Sequence, residues 1–122
     1  MKDPITILYI GSSSDSISRL SESENIDLSI AENLLQAQNY MGSCQETDAI
    51  LCELLVPGGD GFKMNTWLRG QTRFNAIPFI LVSPKFEEHL ITKSLMHLID
   101  DFYVMPLPSI KDLTSRILFL KE

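Results

Sequence analysis

DAILCELLVPGGDGF, residues 48–62, is an apolar run that ends in one carboxylate, Glu53, and then meets a turn rich in proline and glycine. A short continuous apolar run bounded by turn residues is typical of a strand buried on both faces. The carboxylate is therefore predicted to lie at the carboxyl end of a buried strand, where the chain leaves the sheet.

Apolar runs of similar length recur on both sides of this segment and alternate with stretches of helical periodicity. Such alternation predicts an α/β fold in which helices cover both faces of a parallel sheet. We predict a doubly wound (βα)5 domain with strand order 2-1-3-4-5, whose working groups collect at the carboxyl ends of the strands. The predicted strands are residues 5–10, 26–30, 49–54, 78–83 and 102–105.

The last two helices carry clear signals. The fifth follows Pro108, with Ser109 as its N-cap and Asp112 three residues later, a variant of the capping box. The fourth is predicted over residues 85–99, because apolar residues recur there at helical spacing: Leu90, Ile91, Leu95 and Leu98.

Composition favours one soluble domain spanning residues 1–122, with 44% apolar and 21% charged residues. A net charge of -6 and scattered basic residues argue against nucleic-acid binding. No apolar run approaches the roughly 20 residues that span a bilayer, so no membrane partner is expected. The two cysteines, Cys44 and Cys52, form no metal-binding pattern, and we expect a cytoplasmic protein.

Three segments together resemble the receiver domain of two-component response regulators: residues 53–62, 77–83 and 100–106. The resemblance extends over essentially the whole chain. It implies a flavodoxin-like receiver fold, a role in phosphorelay signal transduction and no enzymatic activity of its own. It also implies a cis peptide bond between Met105 and Pro106.

The same resemblance identifies where this chain departs from the family. Receiver domains carry an aspartate that accepts the phosphoryl group, and Glu53 stands at that position. Two acidic residues that help to hold Mg²⁺ are matched here by Gly11 and Ser12, and the lysine that pairs with phosphoryl oxygens is matched by Met105.

Two further positions keep more of the family pattern. Ser83 matches the hydroxyl residue that hydrogen-bonds the phosphoryl group, and Phe102 matches the aromatic switch position. Phosphoryl transfer depends above all on neutralising charge, and Mg²⁺ prefers carboxylate ligands. We therefore predict a degenerate pseudo-receiver without metal or cofactor. It binds a protein partner, or forms a homodimer, without phosphorylation.

The alternative of a residual phospho-acceptor, or of a small-anion or cofactor site at the strand ends, stays open. The loop of residues 11–14 is either a helix N-cap or an anion cradle. Glu53 is either a partly solvated loop carboxylate or a permanent mimic of the phosphorylated state. A charge at this depth needs partners. We therefore expect Glu53 to turn either toward solvent or toward Lys85, Ser83 and nearby backbone amides, and not toward Met105.

The face formed by the fourth helix, the fifth strand and the fifth helix is the candidate interaction surface. It holds more large apolar residues than the fold requires. They either pack inside the domain or form an exposed patch that marks protein–protein contact. These residues are Met96, Leu98, Ile99, Leu118 and Phe119.

Overall fold

The computed structural model describes residues 4–43 and 46–122, so Cys44 lies outside the described residues. Five strands form one sheet in which every neighbouring pair is parallel. The strand order is 2-1-3-4-5, as predicted. The strands are β1 (Ile5–Ile10), β2 (Ile26–Ala31), β3 (Ala49–Glu53), β4 (Phe79–Ser83) and β5 (Asp101–Val104).

Five helices cover the two faces of the sheet, and side-chain caps fix where several of them begin. Ser13, Asp60 and Ser109 each accept the amide hydrogen of the residue three positions later. The Ser109 cap confirms the predicted start of the fifth helix. The helices are α1 (Ser14–Ser21), α2 (Leu34–Gly42), α3 (Gly61–Arg69), α4 (Glu88–Met96) and α5 (Ile110–Lys121).

The core lies on both faces of the central strands. Residues 7–10 of β1 and 49–52 of β3 are 0% exposed, which is the burial expected when helices cover a parallel sheet on both sides. A short antiparallel hairpin follows β3 and leads directly into α3. Its two strands, Leu55–Val56 and Gly59–Asp60, are two residues long each. None of the helices in the two described ranges is long and apolar enough to cross a membrane.

The prediction for α4 was wrong in two respects. The helix spans Glu88–Met96 rather than residues 85–99, because the chain turns at Leu98 into the left-handed region, with φ 58°. Of the expected apolar stripe only Leu90 is buried. This short helix buries the single row of Leu90 and Ser94, four positions apart, and so leaves Ile91 and Leu95 exposed.

Candidate functional site

A cleft of about 430 Å³ lies at the carboxyl ends of the central strands. It brings together five of the residues predicted from the sequence: Ser12, Glu53, Ser83, Lys85 and Met105. Sequence reasoning missed several other lining residues, which follow β3 and β4 in the chain: Leu54, Leu55, Pro84 and Glu87.

Gly11 lies beneath the Glu53 side chain and makes room for it. Because Ile10 pairs with Cys52, the residues that follow them, Gly11 just after β1 and Glu53 at the end of β3, lie side by side. A Cβ atom built on Gly11 would overlap the Glu53 carboxyl group, and the φ of Gly11 is 147°, a conformation that favours glycine. The glycine at this position therefore does more than omit an acidic side chain. It accommodates the longer carboxylate of the neighbouring strand.

The Glu53 carboxylate points back over β1 and is held there by two donors. Its Oε2 accepts a hydrogen bond from the Tyr9 hydroxyl at 2.6 Å and another from the Ser13 amide at 2.8 Å. Tyr9 pairs with Leu51, so Glu53 lies two residues further along the same face of the adjacent strand, within reach of the hydroxyl. Ser13 is the N-cap of α1, where the helix dipole also favours a negative charge.

Tyr9 is a donor that sequence reasoning did not identify. Its side chain is 0% exposed. Burial, followed by the hydrogen bond to the Glu53 carboxylate, raises the pKa of the Tyr9 hydroxyl well above its ordinary range. Tyr9 therefore stays protonated and donates at every physiological pH. A buried tyrosine hydroxyl normally has a polar partner, so the tyrosine within an aliphatic strand was the available signal.

Tyr9→Phe is expected to lower the free energy of unfolding by about 1.5–3 kcal/mol, the range for a hydrogen bond to a charged group. The substitution keeps the ring and leaves Glu53 with one donor. Urea denaturation followed through Trp67 fluorescence measures it. Tyr40→Phe is a matched control, because Tyr40 is only partly buried. Equal losses for the two variants would contradict the assigned hydrogen bond.

The expected pairing of Glu53 with Lys85 or Ser83 was wrong, whereas the expected backbone amide is present. The Ser83 hydroxyl donates to the carbonyl of Lys85 at 2.7 Å and so is used within its own loop. Lys85 is 77% exposed, and its Nζ lies 3.6 Å from Glu87. The reason is proximity: the Tyr9 hydroxyl and the Ser13 amide reach Glu53 from β1 and the loop that follows it.

Comparison with known proteins identifies the fold of this chain. No protein-family model and no curated protein matches this sequence. Among solved structures, the signal receiver domain of a histidine kinase from Syntrophus aciditrophicus is 25% identical, with a TM-score of 0.77 over 95% of this chain and 89% of that chain. A two-component response regulator from Clostridium difficile is 23% identical, with a TM-score of 0.79 over 95% of this chain and 94% of that chain.

This chain has the receiver-domain fold. A third similar structure is the receiver domain of a sensor histidine kinase from Pseudomonas aeruginosa. It is 17% identical, has a TM-score of 0.78 over 98% of this chain and 99% of that chain, and has a magnesium ion coordinated in its active-site cleft. The Met105–Pro106 peptide bond is cis here, as the resemblance to receiver domains implied.

The side chains at the same end of this receiver fold do not fit a magnesium ion. Mg²⁺ demands near-octahedral oxygen ligation and is usually held by carboxylates. Gly11 provides no side chain, Ser12 provides no charge, and one oxygen of Glu53 already accepts two hydrogen bonds. Within residues 4–43 and 46–122, no group of three or more His, Cys, Asp or Glu side chains could hold a metal ion.

Phe102 lies apart from the cleft. It packs partly against the core and lines a shallow groove of about 160 Å³ between α4 and β5. Ile91, Leu95 and Ile99 line the same groove. Phe102, which the resemblance matches to the aromatic switch position, therefore lies beside α4 in the candidate interaction surface and does not line the cleft that holds Glu53.

Proposed function

We propose that this receiver-fold domain is a signalling module of a two-component phosphorelay system that binds a protein partner without being phosphorylated. The structural similarity to receiver domains of response regulators and histidine kinases supports the signalling role. Independence from phosphorylation is our own inference. It rests on the chemistry of the cleft and on one unusually apolar surface.

The cleft supports the first half of this proposal. Glu53 is a single carboxylate, and Gly11 and Ser12 beside it add no second one, so the cleft lacks the set of carboxylates that usually holds a magnesium ion. Met105 replaces a cation with a thioether, so it cannot neutralise a transferring phosphoryl group. A fixed carboxylate without metal or cation lacks the means of phosphoryl transfer. On this basis the domain is a pseudo-receiver.

The apolar surface is the single observation that carries the second half. We define the α4–α5 patch as the large apolar side chains exposed on these two helices and on the turn that ends α4. Isolated exposed apolar residues are ordinary, but several large ones on the two helices that lie against the edge strand β5 favour protein–protein contact. The members, with their exposed fractions, are Ile91 (41%), Leu95 (71%), Met96 (77%), Leu98 (75%), Leu118 (47%) and Phe119 (61%).

The backbone at Leu98 supports an interaction role for this patch. Its φ of 58° is a conformation in which a side chain costs roughly 1–2 kcal/mol relative to an ordinary helical one, and which glycine adopts freely. The side chain is nevertheless large, apolar and 75% exposed. Local folding therefore gives no reason for a leucine here, and a contact with another protein supplies one.

An ion pair lies close to both the α4 part and the α5 part of the α4–α5 patch. Arg116 of α5 bonds to Asp101 of β5 at 2.8 Å, and its guanidinium lies 5.1 Å from the centre of the Phe119 ring. Asp101 also lines the groove beside Leu95. The Arg116–Asp101 pair thus lies close to Phe119 of α5 and to the groove at Leu95 of α4. It can serve as part of a polar rim, which specific interfaces have around their apolar core. The occupant is a protein of complementary apolar character, and a second copy of the chain is one such protein.

Phosphorylation independence is tested with Mg²⁺ and beryllofluoride, a mimic of the phosphoryl group. We expect the amide NMR resonances of Leu54 and Ser83 to move no more than they do in a salt control, since metal and cation are lacking. Acetyl phosphate should leave no phosphoryl adduct detectable by mass spectrometry. Saturable shifts at both amides, or an adduct on Glu53, would contradict the proposal.

A further inference from the structure

The cleft at the strand ends has features that neither a phosphorylation site nor the α4–α5 patch explains. Its volume of about 430 Å³ lies within the range of small-ligand sites. Its lining combines polar and charged groups with apolar side chains. The apolar lining consists of Leu54, Leu55, Pro84 and Met105.

Glu53 presents one oxygen to this cleft. Both of its hydrogen bonds fall on Oε2, and no residue within 4–43 or 46–122 donates to Oε1. The side-chain oxygens that are fully buried without a partner in those ranges are Asn65 Oδ1 and Ser94 Oγ, so Oε1 is accessible. The carboxylate is therefore fixed in place by Oε2 and has Oε1 free to accept from a ligand.

The charges around the cleft favour a cation. Glu53 and Glu87 both line it, and Lys85 is the one basic lining residue in the described part of the chain. Lys85 lies against Glu87 and is mostly exposed, so it leaves the charge of Glu53 without a counter-ion. The whole chain carries a formal charge of -6, which also attracts cations.

We infer that this cleft binds a primary ammonium group carried on an apolar stem, as in a linear alkylamine or a lysine side chain. The ammonium donates to Glu53 Oε1, and the stem packs against Met105, Pro84 and Leu54. Methionine suits such a wall because its unbranched, polarisable side chain adapts to irregular shapes. Recognition of this kind needs both a fixed carboxylate and an apolar wall, and the cleft supplies both.

This inference does not rest on the proposed interaction surface. No residue of the α4–α5 patch lines the cleft, and none of the proposed ammonium contacts lies in the patch. Failure of one proposal therefore leaves the other intact.

The test titrates the domain with three probes: n-pentylamine, N-acetyl-lysine N-methylamide and uncharged n-pentanol. Binding is followed by the amide resonance of Ser13 and the methyl resonance of Met105. We expect saturable shifts of both resonances with at least one amine. Pentanol should bind at least about 10-fold more weakly, because a charge-assisted hydrogen bond is roughly twice as strong as a neutral one.

Four variants locate the binding group. Glu53→Gln keeps the shape of the side chain and should weaken amine binding by about 10-fold or more, since it removes the charge. Met105→Lys should abolish binding, because its own ammonium reaches the same carboxylate. Lys85→Gln should strengthen binding by about 2-fold through loss of a nearby like charge. Glu24→Gln is the control and should leave amine binding unchanged. Glu24 is exposed and lies before the amino end of β2, whereas the cleft lies at the carboxyl ends of the strands.

Each outcome of these titrations either supports or overturns the inference. Stronger binding of the lysine derivative assigns the site to a protein side chain, and stronger binding of pentylamine assigns it to a free amine; both support the inference. Equal binding of pentanol and the amines would overturn it, as would amine binding that Glu53→Gln and Met105→Lys leave intact. If Glu53→Gln fails to fold, Met105→Lys and the pentanol comparison still decide the question.

Discussion

Gly11→Ala is expected to destabilise the domain by about 2–4 kcal/mol, through backbone strain and through overpacking against Glu53. The first cost arises because φ is 147° at this position, which L side chains rarely adopt. The second arises because the new methyl group would overlap the Glu53 carboxyl group, which Tyr9 and Ser13 hold in place. Such a loss is a large part of the 5–15 kcal/mol by which domains are usually stable.

The two costs can be separated by a double-mutant cycle measured by urea denaturation. In a Glu53→Ala background the overlap is removed, so the penalty of Gly11→Ala should fall to the backbone strain alone, about 1–3 kcal/mol. Gly42→Ala is the matched control. A Cβ there meets nothing within 4 Å, and alanine is favoured over glycine in a helix by roughly 0.5–1 kcal/mol. A Gly11→Ala penalty that stays the same without Glu53 would contradict the assigned packing.

The strands and the helix caps could be predicted because their signals are local. β1 has the predicted bounds, and β2, β3, β4 and β5 differ from prediction by one residue at one or both ends. Ser109 also caps α5 as its sequence context indicated. An apolar run flanked by turn residues has few other stable arrangements once a parallel sheet is assumed.

The partners of Glu53 could not be predicted, because they depend on strand register. Tyr9 precedes Glu53 by 44 positions, and only the pairing of Tyr9 with Leu51 brings the hydroxyl beside the carboxylate. Sequence reasoning treated Gly11 as the loss of an acidic side chain. In the folded structure, the absence of a side chain at Gly11 also leaves space for the long side chain of Glu53 on the neighbouring strand β3.

The exposure of the candidate interaction surface was also undecided by sequence. Helical spacing identifies which residues share a face of α4, but it does not identify which face meets the sheet. The structure resolves both alternatives at once: Ile99 packs against the core, whereas Met96, Leu98, Leu118 and Phe119 are exposed. The sequence thus named four of the six residues of the α4–α5 patch as candidates, and it did not decide whether they are exposed.

Leu95→Gln is expected to weaken binding of the partner, or self-association, by at least about 30-fold, which corresponds to roughly 2 kcal/mol. Leu95 is 71% exposed on α4 and lines the groove that Phe102 and Asp101 also line. Glutamine has nearly the same helix propensity as leucine and keeps the net charge. The free energy of unfolding should therefore change by under about 0.5 kcal/mol.

Leu35→Gln is the matched control, because Leu35 is an exposed leucine (66%) on a different helix, α2. Sedimentation analysis of each variant measures self-association, and quantitative co-purification measures binding of a heterologous partner. If the α4–α5 patch binds no partner, both substitutions should change the measured association equally little. A docking surface responds to Leu95→Gln alone, because the amide must then be buried against an apolar partner without a hydrogen bond. Equal effects of the two variants would therefore exclude the α4–α5 patch as the binding surface while leaving the receiver fold and the amine-binding cleft unaffected.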